Sequence, residues 1–202
     1  MRVSCVYLLQ EGEARPAAAL GWFARKGIRV NLSARNNHVG AEPNQPDGTP
    51  LMALARYFDD FVVGQIFQSA EYHVTEDEIV AFARQYDPQP IHTDPEIARN
   101  TQFGGLIASG FHTAAVTMRL FVMSDASTAP GSVGAGIDRL RWRFPVRPED
   151  RLHASFTIEN LTPSTRRPGW GTVRTHAQVR NQNDVEVLEA LMSALVPGRP
   201  IG

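Results

Sequence analysis

Apolar positions follow two rhythms along this chain, and each marks its own kind of element. Toward the C-terminus the period is two. Leu152, Ala154, Phe156 and Ile158 alternate with more polar neighbours, and Val173, Thr175, Ala177 and Val179 do the same. Alternation of this kind puts one face of a strand on a core, so 132–196 is predicted as a series of long β segments. The tetrapeptide "NQND", Asn181–Asp184, supplies a hairpin turn between two of them. Residues 106–123, "LIASGFHTAAVTMRLFVM", are instead apolar almost all round, which predicts a long helix buried on most sides. Upstream, "GQIFQSAEYHV" (64–74) reads as a strand ending at Val74. Thr75 and Glu78 then form a capping box, with Val74 and Ile79 as its hydrophobic staple, and start a helix that runs toward Gln85. Asp94 is an N-cap with Pro95 at the first helical position, and Gly104-Gly105 ends that second short helix. One strand, short helices, one long buried helix and several long antiparallel strands predict an α+β fold, a sheet wrapped around a helix.

Residues 1–51 break from this order. They carry Pro, Gly, Asn and Ala clusters such as "NNHVGAEPNQPDGTP" and no sustained periodicity, and they are slightly basic where the rest is slightly acidic. Two readings fit: a disordered extension, or upstream sequence ahead of a true start at Met52, the second being favoured. Residues 52–202 form a single domain, with no internal repeat.

Composition narrows the function classes. A formal net charge of -1, with Lys26 the only lysine, gives no basic field for nucleic acid. The single Cys5 excludes an intrachain disulfide framework and a cysteine-based metal cluster. No run approaches the roughly eighteen apolar residues of a membrane span. The early apolar run is interrupted by Gln10, Glu11 and Glu13, unlike a secretory leader. The expectation is a cytoplasmic protein.

The densest chemistry lies in "YDPQPIHTDPEIA" (86–98), where Asp87 and His92 stand on a proline-rich loop. Pro88 and Pro90 restrict the backbone and lower the entropy of presenting both side chains. An imidazole beside a carboxylate suits proton transfer near neutral pH. A capped turn with a surface histidine is the plain alternative. The second cluster is "GGLIASGFHT" (104–113). Its glycines allow close backbone approach, and the unpaired N–H groups at a helix start can stabilise an oxyanion. Tight turns and helix packing explain the same glycines. Ser109, Thr113 and Thr117 share one helical face, where hydroxyls most often bond the carbonyl four residues back. His112 lies off that stripe and is expected to be structural. His73, His153 and His176 are scattered, and no His, Asp or Glu cluster has metal-ligand spacing.

Together with "GIDRLRWRFPVRPED", these two blocks resemble the MaoC-like dehydratases, also called (R)-specific enoyl-CoA hydratases, from about Tyr57 to Val196. The resemblance implies a hotdog fold, usually paired as a homodimer. It implies Asp87 and His92 as the catalytic pair and Gly110 as the residue whose N–H binds a thioester carbonyl. Ser109 and Gly105 join Gly110 as candidate substrate-binding residues. The implied substrate is an acyl-CoA thioester, with an acyl-carrier-protein thioester as the alternative, and with no metal or other cofactor, no nucleic acid and no membrane partner. The implied activity is reversible addition of water to a trans-2-enoyl-CoA. Several positions depart from the family pattern: Gln89 for Asn, Ser109 for His, Glu149 for Gly, and Met118 for a serine that supports the catalytic pair. Arg139, Arg141, Arg143 and Arg147 are candidates to meet coenzyme A phosphates, alternation placing the first three on one face. A solvated strand face or a subunit contact explains them equally well. Two other functions share this fold. Hotdog thioesterases commonly work from an acidic residue on the central helix, and 106–123 contains none, which argues against that reading. A non-catalytic acyl-binding module stays open because of Ser109 and Met118.

Overall fold

The computed structural model describes residues 55–200; the expectations for residues 1–51 and the boundary at Met52 lie outside that range. The described chain begins with a short 3-10 turn, Phe58–Asp60. Strands β1 (Ile66–Gln68) and β2 (Tyr72–His73) follow. Then come helices α1 (Glu76–Tyr86), α2 (Pro90–Thr93), α3 (Pro95–Arg99) and α4 (Gly110–Val122). Strands β3 (Val133–Trp142), β4 (Arg151–Pro163), β5 (Trp170–Arg180) and β6 (Glu186–Pro197) complete the fold. The sheet runs β1-β4-β5-β6-β3, with β2 also on β4, and all pairings are antiparallel.

The period-two pattern holds. Leu152, Ala154, Phe156 and Ile158 are buried, as are Val173, Thr175, Ala177 and Val179. The sheet meets α4 where Phe121 packs edge-on against Phe156 at 5.2 Å. Asn181 makes the β5–β6 turn, its Oδ1 accepting the N–H groups of Asn183 and Val185 at 3.1 Å each. Both caps also hold. Thr75 Oγ1 accepts the Glu78 N–H at 3.3 Å, and Asp94 Oδ1 accepts the N–H groups of Glu96 and Ile97 at 2.9 and 3.0 Å.

Three expectations are corrected. Residues 64–74 form two short strands, not one. The chain bends at Ser69, whose N–H donates to the Ala154 carbonyl while its Oγ accepts the Ala154 N–H, so a side chain replaces one rung of the ladder. The central helix starts at Gly110 rather than Leu106. Ser109 caps it, and the preceding N–H groups go elsewhere: Ile107 donates to the Ile91 carbonyl and Ala108 to that of Val146. Finally, α4 is buried on one side. His112, Thr113, Val116, Thr117 and Leu120 face the core, while Phe111, Met118 and Val122 are 65, 46 and 43% exposed.

Glu149 takes a left-handed backbone, φ 70°, in the turn leading into β4. A side chain there costs on the order of 1 kcal/mol that glycine does not incur. Its ion pair with His73 at 2.9 Å is solvent-exposed and offsets little. Glu149→Gly is therefore expected to stabilise the protein by about 1 kcal/mol, a rise of roughly 2–4 °C in Tm by thermal unfolding. An unchanged or lower Tm would show that the turn is not strained.

Candidate active site

Helix α1 ends where it must. Asp87 is its C-cap, donating its N–H to the Ala83 carbonyl at 2.9 Å, and Pro88 follows. The expected proline loop then contains a helical turn, α2, because Pro90 at its first position is pre-set for helix. That turn carries His92 inward to 5% exposure.

The hydrogen bonds of His92 fix its tautomer. Nδ1 lies 2.8 Å from the Ile107 carbonyl, which can only accept, so Nδ1 bears the hydrogen. Nε2 is then the nitrogen turned toward Asp87, 3.5 Å from its Oδ2, and carries a lone pair in the neutral form of the ring. That separation is long for a direct hydrogen bond and suits a bridging water. Behind Asp87 stand two donors: Ser109 Oγ to Oδ2 at 2.6 Å, and Gln89 Nε2 to Oδ1 at 2.8 Å. The Ser109 bond and then the Gln89 bond hold the Asp87 carboxyl below the usual carboxylate range, with a smaller contribution from His92 and against the effect of burial.

Asp87, His92 and Gly110 line one cleft of about 440 Å³. Phe103, Phe111, Trp142 and Phe144 give it an apolar wall. Gly110 opens α4, so its N–H is among those without a partner inside the helix. Its carbonyl accepts the Trp142 Nε1–H at 2.7 Å. A Cβ on Gly110 would lie 2.6 Å from the indole, so glycine lets Trp142 sit against the helix start.

The other candidates are placed differently. Ser109 is fully buried and does not line the cleft; its hydroxyl is committed to Asp87 and to capping α4. Gly105 also stands outside the lining, facing the Arg147 side chain. Met118, which stands where the resemblance implies a supporting serine, lies on the exposed stripe of α4, and it is the Ser109 hydroxyl that hydrogen-bonds Asp87. Among the four arginines, Arg139 pairs with Glu189 at 3.2 Å, and Arg143 pairs with Glu189 and Glu186. Arg147 donates to the Phe103 carbonyl at 2.6 Å. These three are committed to partners within the protein. Thr113 and Thr117 donate to the carbonyls of Ser109 and Thr113, as expected. Sequence reasoning did not find Trp142 as a wall of the site, nor Gln89 as an Asp87 donor. Only the nearness of Gln89 to Asp87 hinted at the latter. Among the described residues, no group of His, Cys, Asp and Glu has metal-binding geometry.

An antiparallel sheet wrapped on one helix is the architecture of the hotdog class. The chain belongs to the MaoC-like domain family, whose sequence model matches residues 60–181. A solved MaoC-like dehydratase from Rhodospirillum rubrum is 43% identical with a TM-score of 0.69, covering 73% of this chain and 100% of that one. The uncharacterized protein YdeM of Bacillus subtilis is 33% identical over 139 residues, 68% of this chain and 96% of the relative. An (R)-specific enoyl-CoA hydratase of R. rubrum is 28% identical over 152 residues, 72% of this chain and 95% of the relative.

Proposed function

We propose that this protein adds water reversibly to a trans-2-enoyl-CoA, giving the (R)-3-hydroxyacyl-CoA. The observation that carries the reading is the convergence of two acceptors, Asp87 Oδ2 and His92 Nε2, 3.5 Å apart beside the start of α4. Two lone pairs, on an Asp87 held by two donors and a His92 held by the Ile107 carbonyl, hold a water by its two hydrogens and leave its oxygen free to attack. The oxygen bonds to Cβ as one water proton passes to the pair. The electrons of the double bond move toward the thioester carbonyl, where the Gly110 N–H and the positive end of α4 stabilise the enolate. The pair then delivers a proton to Cα. Hydroxyl at Cβ and hydrogen at Cα account for one water, and the enzyme is regenerated.

Coenzyme A and the (R) product are supported by the name of the R. rubrum hydratase relative. The thioesterase alternative gains nothing from the geometry, since α4 carries no carboxylate. The test is loss of the enoyl-thioester absorbance of crotonyl-CoA with pure protein. Appearance of (R)-3-hydroxybutyryl-CoA supports the reading, and release of free thiol instead would replace it with thioester hydrolysis.

The working unit is a homodimer. Strand β3 is a sheet edge, and Val133, Ile137 and Trp142 on it are 50, 43 and 48% exposed. With Phe111, Met118 and Val122 of α4 they leave an apolar surface that a second copy would cover. Light scattering is expected to give twice the chain mass, and Met118→Glu with Ile137→Glu to give the monomer. A wild-type monomer would contradict the assembly. Among the described residues no helix is long and apolar enough to cross a membrane.

A further inference from the structure

His112 lies on the buried side of α4, two residues past Gly110, and it is held from two directions by α1. Glu78 Oε1 meets its Nε2 at 3.0 Å, and Phe82, one turn further along α1, stacks on the ring at 4.8 Å and 16°. Glu78 also accepts the Tyr72 hydroxyl at 2.9 Å, and the Arg119 guanidinium of α4 lies over the Tyr72 ring at 5.6 Å. The cluster therefore joins β2, α1 and α4. Burial pushes the Glu78 carboxyl up, but the bonds from His112 and Tyr72 outweigh it and keep it below the usual range. Burial, and then the bond to Glu78, push the Tyr72 hydroxyl up to about 12.

One atom is left over. His112 Nδ1 is buried and has no hydrogen-bond partner. A leucine or phenylalanine would fill the site without stranding a nitrogen, and such a cost needs a reason. The reason lies at the two ends of α1. One end is tied to the first turn of α4 through Glu78, Phe82 and His112. The other end is tied to the same turn through Asp87 and Ser109. The helix bearing the catalytic carboxylate is thereby stapled twice across the start of the helix bearing the oxyanion donor.

We infer that Glu78 and His112 are positioning residues, a clamp that sets α1 against α4 so that Asp87 and the Gly110 N–H address the same substrate. The inference rests on the proposed hydratase reaction for its kinetic part only. His112→Phe keeps the ring and its stack on Phe82 but removes the bond to Glu78. It should lower kcat on crotonyl-CoA by about 10–100-fold, with KM within about threefold, since a shift of roughly 1 Å in a reacting group has effects of this size. His112→Gln restores a donor toward Glu78 and should return kcat to within about threefold of wild type.

Amide hydrogen exchange gives a readout that needs no activity. The Asp87 N–H, bonded to the Ala83 carbonyl at the far end of α1, should exchange at least about tenfold faster in His112→Phe, while the Val173–Val179 amides of β5 stay unchanged. A purely local packing role would leave Asp87 untouched. Unchanged exchange at Asp87, or a His112→Phe kcat within about twofold of wild type, overturns the clamp. A wild-type protein that does not hydrate crotonyl-CoA would count against the proposed function, and the exchange result would still decide the clamp.

Discussion

Asp87→Asn is expected to slow hydration of crotonyl-CoA by about 10²–10⁴-fold, the range that a positioned acid–base group supplies. The change is isosteric, so its effect reports chemistry. In the wild type both carboxylate oxygens accept, Oδ2 from Ser109 and Oδ1 from Gln89, and Oδ2 also faces His92. Asparagine offers one acceptor oxygen, so one support is lost, and its amide nitrogen cannot take a proton from water. The fold should survive: Tm is expected to fall by no more than about 4 °C at neutral pH, the scale of one net hydrogen bond. The pH dependence carries a sign. Because the folded Asp87 titrates below its ordinary value, its carboxylate contributes stability that is present above about pH 4 and is lost as pH falls through the folded value. Asp87→Asn should flatten that part of the acid limb. Ser109→Ala removes the largest cause of the depression and should move the acid limb of the rate profile upward. Full hydration activity in Asp87→Asn would remove Asp87 from the mechanism.

The parts of this molecule that are legible in its sequence are those set by near neighbours. The alternation of β4 and β5, the Thr75–Glu78 box and the Asp94 cap each need only a few adjacent residues, and each forms as the pattern predicts. The pairing of Asp87 with His92 is legible for the same reason, since prolines constrain the short stretch between them. What stays hidden depends on partners far along the chain. Leu106–Ala108 looks helical because it is apolar, yet its backbone serves Ile91, Val146 and His92. Ser109 reads as one more hydroxyl on a helical stripe, and only the fold brings Asp87 to it. The all-round apolarity of α4 is real, but its second face turns outward, toward the surface proposed for a partner copy.

Gly110→Ala is the second substitution with a large expected effect, and its value is that backbone chemistry is left intact. Alanine keeps the N–H proposed to bind the thioester oxygen, and Gly110 does not occupy a left-handed backbone that would strain it. In the first turn of a helix alanine is even favoured, by up to about 1 kcal/mol. The obstacle is Trp142. The new methyl would stand 2.6 and 2.7 Å from the indole Cε2 and Nε1, well inside contact distance. The indole must swing away, losing its 2.7 Å bond to the Gly110 carbonyl, a loss of about 1 kcal/mol that the helix preference roughly offsets. Tm should therefore change by less than about 3 °C. Activity should not be spared, because Trp142 is a wall of the cleft and its displacement unseats the acyl thioester from the donor, a misplacement worth on the order of 10²-fold in rate. Trp142→Ala in the same chain removes the clash. If the steric argument is right, Trp142→Ala alone loses the same wall and a similar rate, and the double variant is no slower than either single variant. If the double variant is slower still, the indole is not what glycine makes room for, and the loss must arise at the oxyanion donor itself.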